Sequence, residues 1–255
     1  MPKSALERIA VFDVDGTLLC GDSFWLAARR SRGLAGQLGA AAVCLPWLIG
    51  WQLRLVPTGR FKQQMVAAFG LCQAVNLFQS QGRADWQLLE LRAKLRPEAL
   101  DRLRWHQQRG DRVLLCSASP RMLLQPLADW LGVELLCTEL EQAQGKWRPR
   151  LVSPNCKGPE KVRRLATHLG PLDAQTIEAY GDSKGDRELL QAAALPHYRS
   201  FLPEPEPYPP FSLGPLLPVV ALALLAYGLL GIWSQGDELL PLLRSLWPQI
   251  ALGLL

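Results

Sequence analysis

Residues 10–19, Ala-Val-Phe-Asp-Val-Asp-Gly-Thr-Leu-Leu, run an apolar stretch into two aspartates, Asp13 and Asp15, and then a Gly-Thr pair. A short apolar run of this kind, bounded by turn residues, reads as a strand buried on both faces. Two carboxylates at its end repel each other and lose hydration on burial, so a cation or a proton has to intervene. The competing reading is an ordinary loop with Asp15-Gly16 as its turn. The rest of the chain decides between the two.

With the first strand placed at residues 8–14, further strand candidates lie at 112–116, 134–138, 176–180 and, more weakly, 197–201. Helical segments separate them. One covers 97–109 and is closed by Gly110. A second covers 120–131, with Ser119 expected as N-cap, Pro120 in the first turn and Gly132 after the end. The others cover 159–169 and 186–194. Alternation of this kind predicts an α/β fold built on a doubly wound parallel sheet. About ninety residues separate the first two strands, where a crossover needs only about a dozen. Residues 23–95 are therefore expected to form a helical cap inserted after the first strand, the core being 1–22 and 96–202. Residues 136–151, with Gly145-Lys146 at their centre, predict a hairpin-like flap.

Two uncharged runs bear on location. Residues 213–233 would be about 30 Å long as a helix, enough to span a bilayer core. They follow a stiff proline-rich linker at 203–212, and 213–255 is expected to be a membrane segment. The second run, 33–53, falls inside the cap, with Arg29, Arg30 and Arg32 before it and Arg54, Arg60 and Lys62 after it. A single crossing there would put the first strand and the others on opposite faces of the membrane. The run is thus expected to dip in and out, lie in the interface or pack as cap core, and Pro46 at its middle suits a break. Basic flanks on both sides favour the cytoplasmic leaflet. Acidic Glu7 before the first strand argues against a signal peptide. The expected setting is membrane-associated, with the catalytic domain facing the cytoplasm.

Net charge is +5, yet the chain has no basic run, zinc finger or aromatic-basic motif, so no nucleic-acid partner is expected. A phosphorylated small molecule or lipid, or an anionic membrane surface, fits that charge better. Six scattered cysteines without a C-x-x-C pair argue for reduced thiols, and three separated histidines suggest no metal cluster. No feature specifies an oligomeric state.

Four signals sit where a doubly wound sheet places its active site, at strand ends. They are Asp13-Val14-Asp15-Gly16-Thr17, Ser117 after the second strand, Lys161 at a helix start, and Gly181-Asp182-Ser183-Lys184-Gly185-Asp186. Each alone is weak; four in order form a strong pattern. On these residues the chain resembles the haloacid dehalogenase superfamily, and within it the subfamily IB enzymes similar to phosphoserine phosphatase and phosphatidylglycerophosphatase C. The resemblance covers residues 8–201. It implies a Mg²⁺-dependent phosphatase acting on a phosphate monoester through an aspartyl-phosphate. Asp13 would be the nucleophile and Asp15 the general acid and base. Ser117, the amide of Ala118 and Lys161 would hold the phosphate, with Lys157 a competing lysine one turn earlier. Asp13, the carbonyl of Asp15 and Asp182 would hold the metal, and Asp186 and Ser183 would support from behind. Asp22 stands where phosphoserine phosphatases carry a longer, substrate-facing glutamate. Asp22 and Arg60 are the candidate substrate contacts on the cap side. With the apolar run 33–53 in the cap over the active-site mouth and 213–233 as anchor, the expected substrate is a membrane-borne lipid phosphate, phosphatidylglycerophosphate-like or polyprenyl-linked. The alternatives are a soluble metabolite phosphatase acting on phosphoserine or a sugar phosphate, or a non-catalytic tethered module.

Overall fold

Four consecutive buried residues, Ile9–Phe12, form β1 at the centre of a parallel sheet. The remaining strands are β2 (Arg112–Pro120), β3 (Glu134–Thr138), β4 (Leu140–Ala143), β5 (Lys146–Leu151), β6 (Ile177–Gly181) and β7 (Leu195–Tyr198). The main sheet runs β3-β2-β1-β6-β7, every neighbouring pair parallel. The chain is described here from a computed structural model, which covers residues 7–82, 85–172 and 176–202; the expected linker and membrane segment at 203–255 lie outside the described residues.

Because successive side chains of a strand point to opposite faces, β1 feeds two cores. Ala10 and Phe12 pack with Leu103, Leu115 and Leu124 on one face, while Ile9 and Val11 pack with Leu114, Leu165 and Leu189 on the other. Helices α6 (Pro97–Gln108), α7 (Arg121–Leu131), α8 (Pro159–Leu169) and the short α9 (Arg187–Gln191) follow the strands. The fold is α/β with a parallel sheet, as the alternation predicts.

Several boundaries differ from expectation, each for a local reason. The strand expected to end at residue 116 continues to Pro120, with a bulge that leaves Ala118 and Ser119 outside the β3 register. Consequently Pro120, not Ser119, occupies the N-cap of α7, and no side chain caps that helix. The edge strand lies at 195–198 rather than 197–201, because Arg199 turns with φ 57° and closes onto the Gly181 carbonyl. The helix expected at 186–194 is α9, shortened to Arg187–Gln191 and preceded by a 3₁₀ turn, Lys184–Asp186.

Between β1 and α6 come α1 (Ser23–Ser31), α2 (Leu34–Gln52), α3 (Thr58–Ala68), α4 (Leu71–Ser80) and α5 (Asp85–Arg92). Phe24, Ala28, Val66, Phe69 and Leu71 share a core with Met122 of α7. The expected flap is the antiparallel β4–β5 pair. It clasps these helices through two hydrogen bonds between the Asn76 side chain and the Trp147 main chain, at 2.8 and 2.9 Å. Helix α2 is continuous through Pro46, so the expected break is absent. Pro46 and Ala42, whose carbonyl the proline leaves without a helical donor, are both exposed. Only Ala40 and Cys44 of α2 are buried, whereas Leu34, Leu38 and Ile49 are 75, 62 and 51% exposed.

Candidate active site

The turn after β1 brings the acidic residues together. Asp13 extends β1 by one bond, its N–H donating to the Tyr180 carbonyl at 2.9 Å. Gly16 then reverses the chain with φ +86°, and its α-carbon packs against Asp182: a Cβ there would stand 2.2 Å from Asp182 Oδ2. Only glycine satisfies both demands.

Asp13 is 6% exposed, Lys161 2% and Asp186 1%. The Lys161 ammonium donates to Asp13 Oδ1 at 2.6 Å and to Asp186 Oδ1 at 2.5 Å. Lys157 also lines the cavity, but its ammonium makes no hydrogen bond among the described residues. Burial opposes the Lys161 charge, but Asp13 and its other anionic neighbours outweigh it and hold the ammonium above its ordinary range. Burial, with Asp186 and Asp15 adding repulsion, raises the Asp13 carboxyl to about 7 despite Lys161. Asp186 is also buried, yet Lys161 and Ser183 keep its carboxyl below the usual range. Its Oδ2 accepts from the Ser183 main-chain N–H at 3.1 Å and hydroxyl at 2.7 Å. Burial and Asp186 raise Asp182.

One carboxylate oxygen from each of Asp13, Asp182 and Asp186 falls within 4.8 Å of the others. Asp186 spends both oxygens on Lys161 and Ser183, so Asp13 and Asp182 are the carboxylates with oxygens to offer. An all-oxygen set of this charge suits a hard divalent cation such as Mg²⁺.

Asp15 is clamped from two sides: the Ser23 N–H donates to Oδ1 at 2.7 Å and the Ser119 hydroxyl to Oδ2 at 2.6 Å. Ser117 is fully buried; its hydroxyl accepts the Ser119 N–H at 3.0 Å and lies 3.5 Å from Asp15 Oδ2. Ala118, in the bulge, has its carbonyl occupied by Thr138 and by Lys62.

These groups open into a cavity of about 360 Å³ roofed by the cap residues Trp25, Trp51, Phe61 and Met65. Asp22 lies at its lip and caps α1, accepting the Trp25 N–H at 3.1 Å. Arg60 is exposed and does not line the cavity. The cap cation in the cavity is Lys62 instead, two residues along α3, bonded to the Ala118 carbonyl and, at 2.6 Å, to Asn155 Oδ1. Its expected place as a membrane-facing flank is thus wrong: burial lowers this ammonium to about 8, and Asp15 and Asp22 oppose the shift. The signal for Lys62 was its place on a helix with Thr58, Phe61 and Met65, four residues at helical spacing that line the cavity.

The sequence model of the haloacid dehalogenase-like hydrolases matches residues 10–191, from β1 to the end of α9. The chain is 32% identical over 199 residues to protein CicA of Caulobacter vibrioides, covering 77% of this chain and 88% of that one. It is 27% identical over 193 residues to phosphoserine phosphatase SerB2 of Mycobacterium tuberculosis, covering 74% of this chain and 43% of the relative. Among solved structures it is similar to a protein of unknown function from Bordetella pertussis Tohama I, with TM-score 0.56 at 23% identity over 74% of this chain and 87% of that one. It is also similar to a phosphoserine phosphohydrolase-like protein from Francisella tularensis, with TM-score 0.50 at 17% identity over 75% and 85%. With the family match spanning the whole parallel sheet up to its last strand, the chain belongs to the haloacid dehalogenase-like hydrolases.

Proposed function

We propose that this protein is a Mg²⁺-dependent phosphatase that hydrolyses a membrane-borne phosphate monoester through an aspartyl-phosphate on Asp13. The observation that carries the reading is the buried Asp13–Lys161–Asp186 array beside a clamped Asp15, all facing one cavity. A monoester dianion repels an anionic nucleophile, so the approach needs positive charge at hand. Asp13 and Asp182, with the main-chain carbonyl of Asp15, would hold Mg²⁺, which when bound supplies Lewis-acid neutralisation. Lys161 keeps Asp13 oriented and presents a proton donor to the phosphoryl oxygens. The Ser117 hydroxyl and the bulged Ala118 amide offer further donors. Attack by Asp13 forms the Asp13–phosphorus bond as the ester bond breaks, and Asp15 gives its proton to the departing alkoxide. Water then attacks phosphorus, Asp15 takes the water proton back, and Asp13 is released.

The membrane reading rests on α2. Among the described residues it is the one helix long and apolar enough to cross a bilayer. Yet β1 and β2, on either side of it in sequence, are paired in one sheet. A helix lying in the interface satisfies both facts. Its last turn carries Trp51, which stacks on Phe61 at 5.4 Å and reaches the cavity. Apolar surface therefore runs from the exposed face of α2 to the active-site roof, the path that the chains of a lipid phosphate require. Exposed Arg54 and Arg60 follow that helix and suit an anionic cytoplasmic leaflet.

The test is phosphate release by the full chain in detergent with Mg²⁺, comparing lipid phosphates with phosphoserine and p-nitrophenyl phosphate, beside Asp13→Asn. Release from p-nitrophenyl phosphate that Asp13→Asn abolishes supports the phosphatase reading, and preference for lipid phosphates supports the substrate class. A folded protein that releases no phosphate from any monoester overturns the first, and preference for phosphoserine overturns the second.

A further inference from the structure

Asp15 is held by a relay that nothing in the catalytic scheme above requires. Ser23 and Ser119 are 1 and 5% exposed, and the Ser23 hydroxyl donates to Ser119 Oγ at 2.8 Å. Each hydroxyl has one proton to give. If Ser119 donated to Ser23 instead, its oxygen would face Asp15 Oδ2 at 2.6 Å with no hydrogen between two lone-pair-bearing atoms. The chain therefore runs one way, from Ser23 to Ser119 to Asp15. The Ser23 N–H holds the other carboxyl oxygen. These donors, one on each oxygen, with the Ser117 hydroxyl a further contact 3.5 Å from Oδ2, fix the plane of the carboxyl group, and Oδ1 keeps a lone-pair direction for the proton in transit.

We propose that Ser119 is a positioning residue that aims the Asp15 carboxyl at the leaving oxygen, with Ser23 orienting the Ser119 hydroxyl. This rests on the phosphatase reading above. Ser119 belongs to the core, in the β2 bulge, and Ser23 is the first residue of α1 in the cap. The proton-transfer group is thus clamped jointly by the two parts of the fold that meet at the cavity. The bulge gains a purpose: it turns the Ser119 hydroxyl toward Asp15 and withdraws it from the helix-capping role that its sequence position predicts.

An aimed acid matters most where the leaving group is a poor one. The experiment measures kcat/KM of the full chain and Ser119→Ala with p-nitrophenyl, phenyl and benzyl phosphate, in order of rising leaving-group basicity. This parameter covers steps up to release of the alcohol, so the hydrolysis of the aspartyl-phosphate does not enter. The expected result is a loss of about 30-fold with benzyl phosphate that shrinks to within about 3-fold with p-nitrophenyl phosphate. Ser23→Ala should show the same graded pattern at smaller amplitude. An equal loss on all three esters indicates a structural role only and overturns the proposal, as does no loss on any. Wild-type protein inactive on all three would instead overturn the phosphatase reading.

Discussion

Replacing Gly16 by alanine separates the backbone strain of the catalytic turn from its effect on Asp182. At φ +86° a side chain costs about 1–2 kcal/mol. The new Cβ would also stand 2.2 Å from Asp182 Oδ2 and 2.8 Å from its Cγ. Restoring ordinary contact requires that carboxylate to retreat by about 1 Å, a misplacement that costs up to about 100-fold in rate at a reacting centre. The atoms in the way are the end of a side chain, so Asp182 moves and the fold survives. Urea unfolding should show a loss of about 1–2 kcal/mol, a modest share of a typical domain's 5–15 kcal/mol. Turnover of p-nitrophenyl phosphate should fall by about 100-fold, with more Mg²⁺ needed for half-saturation. Gly132→Ala is the control: φ is again positive, at +65°, but nothing lies within 4 Å of the added carbon. It should reproduce the stability loss and leave activity unchanged. A folded Gly16→Ala protein with wild-type turnover and Mg²⁺ dependence would show that the turn does not set the position of Asp182, and would remove that residue from the proposed metal site.

Lys161→Met leaves the Asp13 and Asp186 carboxylates buried without their shared cation and should destabilise by about 3–5 kcal/mol. Lys157→Ala should stay within about 0.5 kcal/mol, and chemical denaturation of both variants checks the contrast. In metal-free protein, Asp13 titrates near 7 against 3.8 when unfolded, so between those values the native state holds the extra proton. That contribution to stability is present in acid and declines as pH rises through 7; urea midpoints at pH 5 and 8 in chelator should show a component that Asp13→Asn removes. Leu38 is 62% exposed on α2, so Leu38→Glu should change stability by no more than about 0.5 kcal/mol. It should nevertheless reduce sedimentation with anionic lipid vesicles, most clearly in a chain ended at Pro210.

The sheet and the acidic cluster were legible because their signals are local. Apolar runs ending in Asp-x-Asp, Ser, or Gly-Asp mark strand ends whatever lies between them. They recover β1, β2 and β6 with Asp13, Asp15, Ser117, Asp182 and Asp186. Lys161 was preferred to Lys157 for its place in the first turn of a helix ahead of apolar Leu165, and it is Lys161 that pairs with Asp13 and Asp186. Ser119 was misread because a serine before Pro-Arg has the form of an N-cap, and the bulge that redirects it depends on pairing with β3. Lys62 was misread because its flanking arginines are exposed while it alone turns inward. Pro46 was misread because the helix runs on through it without a break.

The place of β1 at the centre of the sheet sets a timetable for the chain. It is synthesised before the other strands of its sheet, yet Ile9 pairs with Arg112 on one side and Ile177 on the other. β2 and β3 can offer it one edge, but its other edge, with the Asp13 N–H that donates to Tyr180, stays unpaired until β6 exists. Loop closure over such separations slows folding. The helices of the cap pack on α7 and β5 as well as on one another, so their core is complete once residues up to 151 are made, while the catalytic floor beneath it waits for β6. Asp13 meets Lys161 only when nearly the whole described chain has emerged, so a ribosome-bound fragment ending before residue 177 should bury neither the nucleophile nor its cation.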